Sequence, residues 1–182
     1  MRRVEYECLV ERGLFEADDR IELIDGLLVV REPQSSAHAV AVQLAQRALH
    51  RAFGAGWDIR PHAPVALDDD SEPEPDVSIV AGDARDYVAA HPSRPVLVVE
   101  VSLRSLDFDR EYKSSLYARA GVTDYWIVNL VDRALEVRRQ PATSEAAPYG
   151  WTYDALAVLG PDGGVSPLAA PLAWITVAEL LP

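Results

Sequence analysis

The chain of 182 residues carries 17 Lys and Arg against 29 Asp and Glu, a formal net charge of −12, with 49% hydrophobic and 25% charged residues. This balance fits one globular domain over residues 1–182, and it excludes a protein that grips nucleic acid with its whole field, because phosphate recognition draws on Lys and Arg. No apolar stretch approaches the roughly 20 residues of a membrane helix; Met1-Arg2-Arg3 runs into Val-Glu-Tyr-Glu rather than a signal-peptide core, and a lone Cys8 suits a reducing cytoplasm and excludes an internal disulfide.

In chain order, Val4 to Arg12 reads as a short helix ending at Gly13. IELIDGLLVV (Ile21–Val30) reads as two strands joined by Asp25-Gly26, a dipeptide suited to a type I′ turn. Ser35 or Ser36 caps a helix running to about Phe53, with Val40, Leu44, Ala48 and Phe53 as its apolar stripe. Trp57 to Leu67 is a strand that Pro61 and Pro64 confine to an edge. DDDSEPEPD (Asp68–Asp76) is an acidic, solvated loop. Val77 to Val80 and Val96 to Val101 are buried strands. Leu106 or Asp107 to Ala120 is a helix ended by Gly121. Strands at Thr123–Leu130 and Ala134–Arg139 follow, then a loop over Pro141–Pro148, a strand at Trp151–Leu159, and a last short helix capped by Thr176. The order predicts an α/β (α+β) fold with a mixed β-sheet flanked by helices, preceded by an N-terminal helix and β-hairpin.

Two residues break the pattern. Glu100 lies inside the apolar run LVVEVS, and Lys113 is the only lysine in a chain whose other basic residues are all Arg. Strand alternation puts Val98, Glu100 and Ser102 on one face and Leu97, Val99 and Val101 on the other. A carboxylate buried there requires a compensating cation. Asp76 opens the strand PDVSIV; if that strand neighbours the Glu100 strand, two carboxylates converge, and a hard divalent ion such as Mg²⁺ or Mn²⁺ resolves their repulsion. Asp109, Lys113 and Tyr117 fall at i, i+4 and i+8, one helical stripe that can carry the ammonium to the same place. An amine can orient or deprotonate water, whereas Arg stays protonated.

Taken together, IELIDG, EPDVSIV, VVEVSxxSLxxDxxxKxxxYAxAG and DYWIVNL resemble the Uma family of "putative restriction endonucleases", within the PD-(D/E)xK nuclease-like superfamily. The resemblance covers about residues 20–135 and includes the position of His38 after the hairpin. It implies a restriction-endonuclease-like core and a cytoplasmic, Mg²⁺- or Mn²⁺-dependent endonuclease acting on DNA. Asp76 and Glu100 would be metal ligands with the Val101 carbonyl as a third, Lys113 the catalytic lysine, and Glu22 an additional acid. Ser102 stands where the superfamily places its lysine, and Leu103-Arg104 replaces the more polar pair expected after VVEVS.

Simpler readings compete. Asp109 and Lys113 can form a surface ion pair, Glu100 can pair with a structural Arg, Asp76 can close a solvated loop, and Glu22 can pair with Arg20 or Arg31. His50, His62 and His91 read as surface residues. Arg133, Arg138 and Arg139, or Arg47 and Arg51, are candidate phosphate contacts by clustering. Cutting both strands of a duplex needs two active sites, which favours a homodimer. The acidic charge favours the alternative of a non-catalytic binding or assembly protein on a nuclease scaffold.

Overall fold

A computed structural model describes residues 1–15, 19–31 and 33–182. Helix α1 (Arg3–Glu11) leads to a hairpin of β1 (Ile21–Ile24) and β2 (Leu27–Val30). Its two-residue turn has φ of 48° at Asp25 and 79° at Gly26, the positive pair a type I′ turn demands. Helix α2 (Ser36–Phe53) starts at Ser35, whose hydroxyl accepts from the His38 N–H at 3.2 Å. The cap therefore also fixes the turn that carries His38. Ser35→Ala should cost about 1 kcal/mol of stability, measured by denaturant unfolding.

The buried face of α2 is Ala41, Val42, Ala45, Ala48, Leu49 and Phe53, while Val40 is exposed. The larger residues Val40 and Leu44 suggested a face rotated away from this one. The three alanines are what bring the helix close to the sheet, so packing distance, rather than side-chain size, sets the face.

Six strands form one sheet in chain order: β3 (Trp57–Pro61), β4 (Val77–Ala81), β5 (Leu97–Ser102), β6 (Asp124–Asn129), β7 (Ala134–Thr143) and β8 (Trp151–Leu159). Only β5 and β6 are parallel, and the helical segment between them makes the crossover. Strand β3 is shorter than expected and lies at the edge, where Pro61 costs no ladder bond. Strand β7 continues through Pro141, which pairs with Tyr153 beyond the last residue that β7 shares with β6. The expected loop from Pro141 thus contracts to the turn after Thr143. Two short strands, β9 (Gly164–Val165) and β10 (Ile175–Thr176), precede a 3₁₀ turn at Val177–Glu179 that Thr176 caps.

The sheet separates two apolar layers. Leu97, Val99 and Val101 pack with α2, Trp126, Val128 and the C-terminal Leu180 and Leu181. Val98 packs on the opposite side with Tyr117, Tyr125 and Ile127. Alternation along LVVEVS thereby turns Glu100 toward the second layer, as the sequence pattern demands. Among the described residues, no helix is long and apolar enough to cross a membrane.

Candidate active site

Antiparallel pairing of β4 with β5 matches Val77 to Val99, so the residue before β4 meets Glu100 near the end of β5. The Asp76 N–H donates to Glu100 Oε2 at 3.2 Å, and the Val101 N–H donates to Asp76 Oδ2 at 2.8 Å. Both side chains are buried. Glu22 reaches them from β1, where its Oε2 accepts the Glu74 N–H at 3.0 Å. Lys113 closes the group: its Nζ lies 2.9 Å from Glu100 Oε1 and 3.2 Å from each Glu22 carboxylate oxygen. The structure therefore brings Glu22, Asp76, Glu100, Val101 and Lys113 together. Glu22 pairs with Lys113 rather than with Arg31.

Lys113 arrives there because the helix is irregular. The segment is α3 (Leu106–Phe108), a π turn at Asp109–Lys113, and α4 (Ser114–Arg119). In a straight α-helix, residues eight apart diverge by about 80° around the axis. The wider π turn takes up this drift, and Asp109, Lys113 and Tyr117 all end up buried. Tyr117 donates its hydroxyl to Glu100 Oε1 at 2.7 Å. Asp109 accepts from the Ser102 and Ser105 hydroxyls, so Ser102 acts on the helix and Asp109 is no surface partner of Lys113.

Three further residues hold Asp76: Arg31 and His62, which pattern and spacing leave outside the site, and His38, which the sequence leaves open as a structural or peripheral site residue. Arg31 Nη2 is 3.0 Å from Asp76 Oδ1, His38 Nε2 is 3.1 Å from it and His62 Nδ1 is 3.5 Å from it. Arg31 also faces Glu74 at 3.6 Å. His62, although exposed, belongs to this group. A histidine whose partners, Asp76 and Gln34, lie 14 and 28 residues away leaves no local spacing to read.

The arginine clusters face elsewhere. Arg139 pairs with buried Asp124, Arg138 with buried Glu136, Arg51 with Glu179, and Arg133 donates to the Pro182 carbonyl. These are structural contacts. The acidic loop is likewise tied down: Asp69 pairs with Arg2, Asp68 with Arg119, and Ser71 and Glu72 are buried.

Burial and charge act differently on the two central carboxyls. For Asp76, burial pushes the pKa up, but His38, Arg31 and the Val101 N–H outweigh it and hold the group below its ordinary range. For Glu100, complete burial dominates; Lys113 opposes it and Asp76 and Asp109 add to it, so the carboxyl is pushed up to about 7. Burial pulls the Lys113 ammonium down, yet Glu100 and Glu22 raise it well above the ordinary lysine value. Lys113 therefore stays charged at neutral pH, which favours orientation of water over its deprotonation.

These groups line a cleft of about 510 Å³, bordered also by Val30, Leu103, Arg104 and Phe108. Among the described residues, no group of three or more His, Cys, Asp or Glu side chains is arranged around a common metal position. Two buried carboxylates on one wall of the cleft, Asp76 and Glu100, still fit Mg²⁺, which keeps several waters and takes only one or two protein carboxylates. The donor set is all oxygen, which suits Mg²⁺ or Mn²⁺ rather than a soft ion.

The fold is that of a nuclease-like protein. The structure matches the crystal structure of "a putative nuclease belonging to DUF820" from Anabaena variabilis with a TM-score of 0.70 at 14% identity, covering 93% of this chain and 94% of that one. The profile of the Uma2 family, described as "Putative restriction endonuclease", matches residues 3–172, and the chain belongs to that family. No functionally curated protein matches it.

Proposed function

We propose that the chain is a metal-dependent endonuclease that hydrolyses phosphodiester bonds in DNA, with Mg²⁺ or Mn²⁺ held by Asp76, Glu100 and the Val101 carbonyl. The observation that carries this reading is the meeting of Asp76, Glu100 and Lys113, from three separate elements, on one buried wall of an open cleft. Burying two acids and an amine costs several kcal/mol per ion unless each is paired. Buried charges gathered at the wall of a cleft, with pairing that offsets only part of their desolvation, suit chemistry better than stability.

When bound, the divalent ion lowers the pKa of a coordinated water and polarises the scissile phosphate. The chain's own residues do the rest. Lys113, held charged between Glu100 and Glu22, orients the attacking water through a donated hydrogen bond and stabilises negative charge on the phosphorane-like transition state. Tyr117 fixes Glu100 from one oxygen, and the Asp76 N–H fixes the other. Arg31 and His38 hold Asp76 ionised and aimed. Glu22 positions the ammonium.

The test is cleavage of supercoiled plasmid and circular single-stranded DNA by the purified chain in Mg²⁺, in Mn²⁺ and in chelator. Cleavage in either metal and none in chelator is expected. Glu22→Gln should slow it by about tenfold without removing the metal requirement, as loss of a supporting contact does. Intact DNA under every condition, or cleavage that persists in chelator, would remove the reading.

A further inference from the structure

The helix that carries Lys113 has a second stripe one residue behind the first. Phe108 and Tyr112 precede Asp109 and Lys113, so they lie about 100° around the axis, on the flank beside the site. Phe108 borders the cleft. Its ring stacks with that of Tyr112, with centroids 5.4 Å apart and planes at 23°. Tyr112 meets Tyr149 edge-on at 6.3 Å, and the Arg119 guanidinium lies 5.1 Å from the Tyr149 ring centroid. Tyr149 is anchored through its N–H to the Ser115 hydroxyl at 3.0 Å. A row of three rings thus leads out of the cleft, and Tyr112 is 43% exposed at its centre.

Charge selects what this row can hold. Asp107 and Glu111 are exposed on the same helix, and the chain as a whole is at −12. A duplex would bring two phosphate rails against that surface while keeping its bases stacked inside, out of reach of the rings. An unpaired strand can turn its bases onto the rings, with its phosphates away from the acids. At the cleft mouth one cation is available to a phosphate: Arg104 is exposed and, among the described residues, makes no ion pair, whereas Arg31 and Lys113 are both engaged.

We infer that Phe108, Tyr112 and Tyr149 form a base-stacking platform that feeds an unpaired nucleic-acid strand into the cleft, with Arg104 receiving its phosphate there. This rests on the nuclease reading for what happens in the cleft, but the platform's binding is separable from catalysis. Stacking on aromatic rings is sequence-tolerant, because every base has a π-face. A single unpaired strand also needs a single active site, so one copy of the chain suffices.

The experiment is fluorescence anisotropy in chelator, where no cleavage occurs, with labelled oligothymidylate and oligouridylate of about 12 nucleotides and a blunt duplex of the same length. At least one single strand should bind about tenfold or more tightly than the duplex. Tyr112→Ala should weaken that binding by about tenfold, the scale of one lost stacking contact, and Tyr112→Phe should restore it. Tyr112 is exposed, so circular dichroism of both variants should match the wild type. Duplex binding equal to or tighter than that of both single strands would overturn the inference, as would a Tyr112→Ala variant that binds like the wild type. Binding without any metal-dependent cleavage would leave the platform standing and remove the nuclease reading instead.

Discussion

Lys113→Met and Asp76→Asn should each lower divalent-dependent DNA cleavage by about 10²–10³-fold or more, the scale of losing one preorganised electrostatic group. The two variants should part company in every other respect. Lys113→Met leaves Glu100 and Glu22 buried and facing each other without the ammonium that now touches both. Breaking a buried pair from one side costs about 3–5 kcal/mol. That loss should be largest near pH 8 and smaller near pH 6, because Glu100 can relieve it by taking up a proton. Asp76→Asn keeps a shape that Val101 and His38 can still contact, and Arg31 retains Glu74. Its cost should be nearer about 1–3 kcal/mol, that of altered hydrogen bonds. Metal binding reverses the ranking. Asp76→Asn removes a ligand charge and should abolish Mn²⁺ binding in a calorimetric titration. Lys113→Met removes a competing cation from Glu100 and should bind Mn²⁺ at least as well as the wild type once the pH is high enough to ionise Glu100. Full activity in Lys113→Met, or wild-type Mn²⁺ affinity in Asp76→Asn, would break the assignment.

What was legible in the sequence shares a physical basis. Glu100 stood out because a charge inside LVVEVS is costly, and Lys113 because nothing else in an arginine-only chain resembles it. Strand alternation then gave the correct face, and the Asp25-Gly26 turn fixed the hairpin that brings Glu22 into range. The remainder depends on registers that no local pattern encodes. His62 and Arg31 reach Asp76 only because β3 pairs with β4 and the hairpin folds over the strand ends. The π turn leaves no compositional mark, although without it the Asp109–Lys113–Tyr117 stripe would wind off the site. Clustering misled for Arg138 and Arg139, which neighbour each other in sequence but alternate across β7 to separate carboxylates. Phe108 and Tyr112 looked like ordinary helical residues, since ring stacking and exposure are properties of the folded surface.

Raising the pH from about 5 to 8 should destabilise the metal-free chain, and Mg²⁺ should reverse the trend. Glu100 is pushed up to about 7 from an ordinary 4.5, so between those values the folded chain holds a proton that the unfolded chain has released. The unfolded state gains on the folded one as pH rises through that window, by up to about 3 kcal/mol for this group. Glu72, raised to about 7 by burial and by its neighbour Glu7, acts with the same sign. Asp76 acts with the opposite sign: its carboxyl is held low, so its contribution is present above the ordinary aspartate range and lost as pH falls through the folded value. His62 and His91, whose imidazoles burial holds below the ordinary value, also act against the trend as pH rises. The net fall should therefore be smaller than the raised carboxyls alone would give, with the stability maximum in chelator on the mildly acidic side. A divalent ion bound at Asp76 and Glu100 needs Glu100 ionised, so binding expels the proton. Apparent Mg²⁺ affinity should climb about tenfold per pH unit below 7 and level off above it. Thermal melts at a series of pH values, with chelator and with Mg²⁺, measure both effects at once. In Lys113→Met, where the ammonium no longer stabilises the ionised form, the levelling-off should move to higher pH. A Mg²⁺ stabilisation that is flat across the series would mean that the ion does not bind at Glu100.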